Sequence, residues 1–162
     1  MKLFKNFSEF LLNVSGVQPE QLEGCTDSGE LEFSGKDLGN CMEIGRFRYE
    51  GVFTVVNFQG DINLLLSQII AWLDDNDTER SNLNLPDPEL VISLLENDSV
   101  KVELSVFFEE PLIVVPDVGG PIIWNGRKWA VSELDVDIAT ELVGMKTELA
   151  INYQPDQTSI GV

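Results

Sequence analysis

The chain has 162 residues, 43% of them hydrophobic, with 28 acidic against 10 basic side chains and a net charge of −18. That size and composition fit a single folded domain with a core, and no apolar run approaches the roughly 18 residues that span a bilayer. The acidic field repels nucleic acid backbone and anionic membrane. The absence of any histidine removes Ser-His and Cys-His dyads and imidazole metal ligands.

At the N-terminus, "FKNFSEFLLNV" (4–14) places Phe4, Phe7, Phe10/Leu11 and Val14 at helical spacing. Asn6, with Glu9 three residues on, reads as the N-cap of a short amphipathic helix. Glu9 interrupts the apolar stretch and no small-residue cleavage site follows, so the segment is not read as a signal peptide. Gly16 and Pro19 end the helix. Residues 24–45 are rich in Gly, Asp, Ser and Asn. They read as a surface loop with one edge strand, "ELEF" (30–33), the alternative being a segment ordered by a partner. Cys25 and Cys41 fall in this region and read as free thiols of a reducing compartment.

"RFRYEGVFTVVNF" (46–58) is a long strand by its β-branched and aromatic content. Arg46 and Arg48 share one face, which suggests a cross-strand ion pair rather than a phosphate site. Gly51 marks a bulge or close approach. Gly60 then turns the chain, and Asp61 caps an apolar helix over 61–74. Ile62, Leu65/Leu66, Ile69/Ile70 and Leu73 form its face, widened by Leu64 and Trp72. A helix this apolar is central or covered by another subunit.

"DDNDTERSNLNLPDP" (74–88) ends that helix with turn-forming chemistry. Asp87-Pro88-Glu89 could start a second helix. The alternation of Leu90, Ile92 and Leu94, then of Val100, Val102, Leu104 and Val106 about Asn97-Asp98, favours a β-hairpin. "PLIVV" (111–115) continues the sheet. Asn125-Gly126 inside "IIWNGRKWA" (122–130) is the strongest hairpin signal, setting Trp124 opposite Arg127 and Ile122 opposite Trp129. Two further alternating runs, 134–138 and 147–153, follow. The fold class is therefore α+β. A mostly antiparallel sheet carries one long apolar helix and a short N-terminal helix packed on it, plus a C-terminal β-hairpin segment. The domain expectation is one unit, 1–162, with a core over 1–118 and a β-rich extension over 119–162.

The chemistry-bearing patterns are sparse. Counted as calcium loops, "DDNDTE" and "DVD" put Arg80 and Thr140 where Gly is needed, and Pro86 and Lys146 where a bidentate Glu is needed. "QGD" matches neither phosphate-loop fingerprint, and an Asp at a helix N-terminus repels an anion. No nucleophile elbow, zinc spacing or Cys-x-x-Cys occurs. No catalytic residue, cofactor or metal is expected. Phe107, Phe108, Trp124 and Trp129 are candidate interface anchors, with core packing as the alternative.

The run "FRYEGVFTVVNFQGDINLLLSQIIAWLDDND" (47–77) resembles the R tail-completion protein family of peduovirus-type, contractile-tailed phages. The shared pieces are Phe58, Gly60 and Asp61 at the joint and Ala71-Trp72-Leu73 in the helix. "PEQLEG" (19–24) and "ENDS" (96–99) agree in order and spacing, so the likeness covers roughly 5–115. The resemblance implies a non-enzymatic virion protein, assembled in the bacterial cytoplasm, that completes the tail at its head-proximal end. It implies self-association in a ring, hexameric where the tail tube is sixfold, with contacts to tube or sheath and to neck or connector proteins. An acidic lumen would let DNA pass without sticking. The alternatives are a head–tail joining adaptor of the neck and a small acidic enzyme using paired carboxylates. The resemblance assigns no role to the C-terminal part, "IIWNGRKWAVSELDVDI" and the run after it.

Overall fold

The computed structural model describes residues 1–14 and 16–132. In chain order these form α1 (Lys2–Asn13), a 3-10 turn (Pro19–Gln21), β1 (Leu22–Asp37), β2 (Met42–Phe58) and α2 (Ile62–Asn76). Then come β3 (Glu89–Leu94), a second 3-10 turn (Glu96–Asp98), β4 (Val100–Pro116), β5 (Ile122–Trp124) and β6 (Arg127–Val131). They group into two compact units, Met1–Lys36 with Glu43–Leu112, and Asp37–Met42 with the described residues from Ile113 onward. The runs at 134–138 and 147–153 lie outside the described residues.

In the first unit β2 lies between β1 and β4, and β3 pairs with β4. The β3–β4 pairing is antiparallel, with Ile92 opposite Val102 and Leu90 opposite Leu104. β2 and β4 also run in opposite directions, since Arg46 meets Glu109 while Glu50 meets Ser105 further back along β4. Period-2 alternation sends Tyr49, Phe53 and Val55 of β2 and Val102, Leu104, Val106 and Phe108 of β4 into one core. α1 and α2 cover that core with Phe7, Leu11, Leu65, Ile69 and Leu73. Its centre is aromatic. The Phe7 ring lies 4.9 Å from Phe53, 5.0 Å from Trp72 and 5.9 Å from Phe108. Gly51 is glycine for these rings. A Cβ there would stand 3.0 Å from Phe53 and 3.1 Å from Phe4, so side chains, not another backbone, make the close approach.

In the second unit the end of β4 pairs with β6, Val115 opposite Ala130, and β6 pairs with β5. The hairpin has the expected register, Ile122 opposite Trp129 and Trp124 opposite Arg127. Asn125 and Gly126 take positive φ of 50° and 70°, the geometry of a two-residue hairpin turn.

Four expectations need correction. The fold is not organised by a long apolar helix. The two α-helices have 12 and 15 residues, and about half of the described residues are strand. The apolar face of α2 is narrower than expected: the helix buries Leu65, Ile69 and Leu73 but leaves Leu64 and Ile70 in water. Second, most of 24–45 is strand. β1 runs 16 residues with nearly every side chain exposed, so it carries no hydrophobic period to read. Third, Asn6 lies inside α1, and the helix starts at Lys2. Finally, Gly60 does not have the left-handed backbone of a tight exit. Asn57, at φ 53°, does. Gly60 is small because a Cβ would come 2.6 Å from the Phe58 ring.

Candidate functional site

Three polar clusters belong to the first unit. Arg46 and Arg48 project from the face of β2 opposite Tyr49 and Phe53, as alternation requires. Both reach Glu109 of β4: Arg46 Nε donates to Oε1 at 2.5 Å and Arg48 Nε to Oε2 at 2.9 Å. Arg46 Nη1 also lies 3.2 Å from Glu43 Oε2. Burial pushes the Glu109 carboxyl up, but the two guanidiniums outweigh it and hold the group below the usual carboxylate range. With Glu30, Leu31 and Glu32 of β1 these residues line a cavity of about 460 Å³. Each guanidinium is already committed to a carboxylate, and Glu30 and Glu32 add negative charge at the rim. The cavity is unsuited to phosphate or another anion, and its inner acid is held ionised rather than poised to give a proton.

The second cluster caps α1. Glu110 accepts from the backbone N–H of Lys2 at 2.8 Å and of Leu3 at 2.9 Å. The Tyr49 hydroxyl donates to the same carboxylate at 2.5 Å and accepts from Phe4 N–H at 3.2 Å. A helix start without a side-chain cap of its own is thus satisfied from β4, with the carboxylate at the positive end of the helix dipole. Burial, then the bond to Glu110, raises the Tyr49 pKa. Burial would raise Glu110 too, but its donors bring it below its ordinary value.

The third cluster fixes the segment after α2. Arg80 Nη1 donates to Asp77 Oδ2 at 3.3 Å and to the Phe107 carbonyl at 2.8 Å, and Nη2 reaches the Pro86 carbonyl. Burial raises the Asp77 pKa despite Arg80. Glu43, Glu109, Glu110 and Asp77 each serve a structural bond. Among the described residues no group of three or more Cys, Asp or Glu could hold a metal ion.

Of the sequence-predicted residues, Asp61 caps α2, its Oδ1 accepting from Asn63 N–H at 2.9 Å and Leu64 N–H at 3.3 Å. Gly60 precedes it under the Phe58 ring. Phe108 is wholly buried in the first unit's core, and Phe107 is half-buried on the opposite face of β4. Trp124 and Trp129 meet in the second unit with rings 5.5 Å apart, Trp129 buried and Trp124 half-buried. Trp129 Nε1 donates to the Trp124 carbonyl at 3.0 Å. Glu109, Glu110 and Asp77 were not singled out by sequence, since nothing distinguishes three acids among 28. The strand β3 was expected as one arm of a hairpin, but its exposure was not. Its alternation was legible, but its lack of cover was not.

A family model described as P2 phage tail completion protein R (GpR) matches residues 1–133. The chain is also similar to an uncharacterized 19.2 kDa protein in the rep-hol intergenic region of Haemophilus phage HP1 (strain HP1c1). The identity is 23% over 151 residues, covering 86% of this chain and 87% of that protein. No solved structure matches.

Proposed function

The chain belongs to the P2 phage tail completion protein R (GpR) family, and from that premise we propose that it acts at the head-proximal end of the tail, associating with itself and with tail proteins to close the finished structure. Membership of the family gives it a structural part in tail completion among other tail components, as a constituent of the virion. The family match over residues 1–133 carries the reading. The polar clusters agree with it, because each holds strands and helices together. The ring form, the tube, sheath or neck contacts and the position on the tail belong to the proposal.

The test is genetic and microscopic. A stop codon placed early in the coding sequence of the phage or prophage should give lysates with filled heads and unjoined or abnormally ended tails. Supplying the protein in trans should restore plaques. Antibody-gold particles should then decorate the head-proximal end of complemented tails. Normal plaque yield without the protein would remove the tail-completion role, and label confined to the tail tip or the neck would remove the placement.

A further inference from the structure

β3 pairs with β4 on one side, and no other described strand pairs with it. After its first residue, Glu89, the run Leu90 to Leu95 reads "LVISLL", without charge, Gly or Pro. Leu94 is 87% exposed and Val91 57%. An apolar, β-prone strand with an open edge is a template for another strand, and native proteins normally blunt such edges with charge, Pro or a cover. Here the charges gather at its two ends instead, Asp87 and the strand's first residue Glu89 at one, Glu96 and Asp98 just past the other. The acids also restrict the occupant. In a β3–β3 pair, parallel or antiparallel, acids would face acids at both ends, so a symmetric pairing is opposed.

The second unit offers the complement. β5 is a short edge strand with Ile123 77% exposed. Beside it on β6, Arg127 and Lys128 are exposed, and neither forms an ion pair among the described residues. Asp117, which lines the same shallow cavity as these two, instead accepts from Gly119 N–H at 2.8 Å. Most other described cations are spent on carboxylates of the first unit.

We infer that the β5–β6 hairpin of one copy adds to the open edge of β3 in a second copy, with Arg127 and Lys128, at the turn end of the hairpin, set against the acids at one end of β3. The contact is heterologous: each copy offers β3 to one neighbour and its hairpin to another, so copies add head to tail. Strand addition satisfies the edge by main-chain hydrogen bonds, and the charged ends fix the register. The inference deepens the self-association proposed above and rests on it.

A charge swap on the full-length protein tests it. One variant carries R127E and K128E, the other D87K, E89K, E96K and D98K. Wild type should sediment at neutral pH as species heavier than the 18.1 kDa chain. Each variant alone should run as a monomer, with circular dichroism showing that it is folded. Mixed in equal amounts, the two should reassemble, because reversed β3 ends meet reversed hairpins and native ends meet native hairpins. Three results overturn the inference: wild type that stays monomeric at every concentration at which it remains in solution, variants that assemble like wild type, or folded variants that stay monomeric when mixed. These outcomes are separable from the tail-completion reading. A phage whose tails fail without the protein, while the swap restores nothing, keeps the function and loses this contact.

Discussion

At the scale of single residues the fold depends on acids that a sequence reader passes over. Glu109 is buried, so an unpaired charge there would be costly, and Arg46 and Arg48 make its ionised form the stable one. Its pKa is lower folded than unfolded, so its contribution is present above the ordinary carboxylate value and is lost as pH falls through the folded one. Glu109→Gln should therefore lower stability at pH 7 by about 1.5–3 kcal/mol, the range for hydrogen bonds to charged groups. It should also flatten the acid side of the stability curve. Urea unfolding followed by tryptophan fluorescence at pH 7 and at pH 4 checks both, and parallel curves for variant and wild type would contradict the pairing. Glu110→Ala leaves two backbone N–H groups and the Tyr49 hydroxyl without their acceptor. A loss of about 2–3 kcal/mol is expected, together with faster amide exchange in α1 than in α2. Uniform acceleration in both helices would mean that the carboxylate does not act as a helix cap.

At the scale of elements, legibility followed how local the cause was. The β5–β6 hairpin was readable to the residue because Asn125-Gly126 sets its turn and register without help from elsewhere. The α2 start was readable because Asp61 caps within its own segment. A loss of about 1 kcal/mol is expected for Asp61→Ala, typical of an N-cap, and thermal melts should show it. The cross-strand role of Arg46 and Arg48 was visible as a type, since alternation puts them on one face, although their partner on β4 was not. What failed was set by distant chain. The cap of α1 comes from Glu110, over a hundred positions away, so Asn6 was a plausible but wrong choice. β1 was hidden because a strand exposed on both faces has no apolar period. Gly51 could be flagged but not explained, as Phe4, Phe53 and Phe108 converge on it only in three dimensions. Gly51→Ala forces those rings apart and should destabilise by about 1–3 kcal/mol, as overpacking does. An unchanged melting temperature would mean that the rings can yield.

Across the whole molecule, charge and open strand edges oppose each other. At pH 7 the net charge of −18 keeps copies apart except where a specific contact places cations against acids. As pH falls toward the sequence pI of about 4.1, carboxylates protonate and the long-range repulsion disappears, while the uncharged centre of β3 is unaffected. Non-specific edge pairing should then take over, because β3 carries no charge from Leu90 to Leu94 and so has no other protection there. Light scattering should therefore rise steeply as the protein is acidified to about its pI, where net charge approaches zero. Val91→Lys should suppress that rise. Val91 sits directly opposite Glu103 on β4, so a lysine there gains a cross-strand partner and costs the folded chain little, yet it puts a cation in the middle of the open edge. Leu64→Lys, on the water-facing side of α2, adds the same charge away from β3 and serves as the control. If both variants stay clear to the same degree, net charge alone governs acid association. If Val91→Lys clouds as wild type does while remaining folded, the nucleus lies elsewhere, and the long acidic strand β1 with its exposed Phe33 becomes the next edge to block.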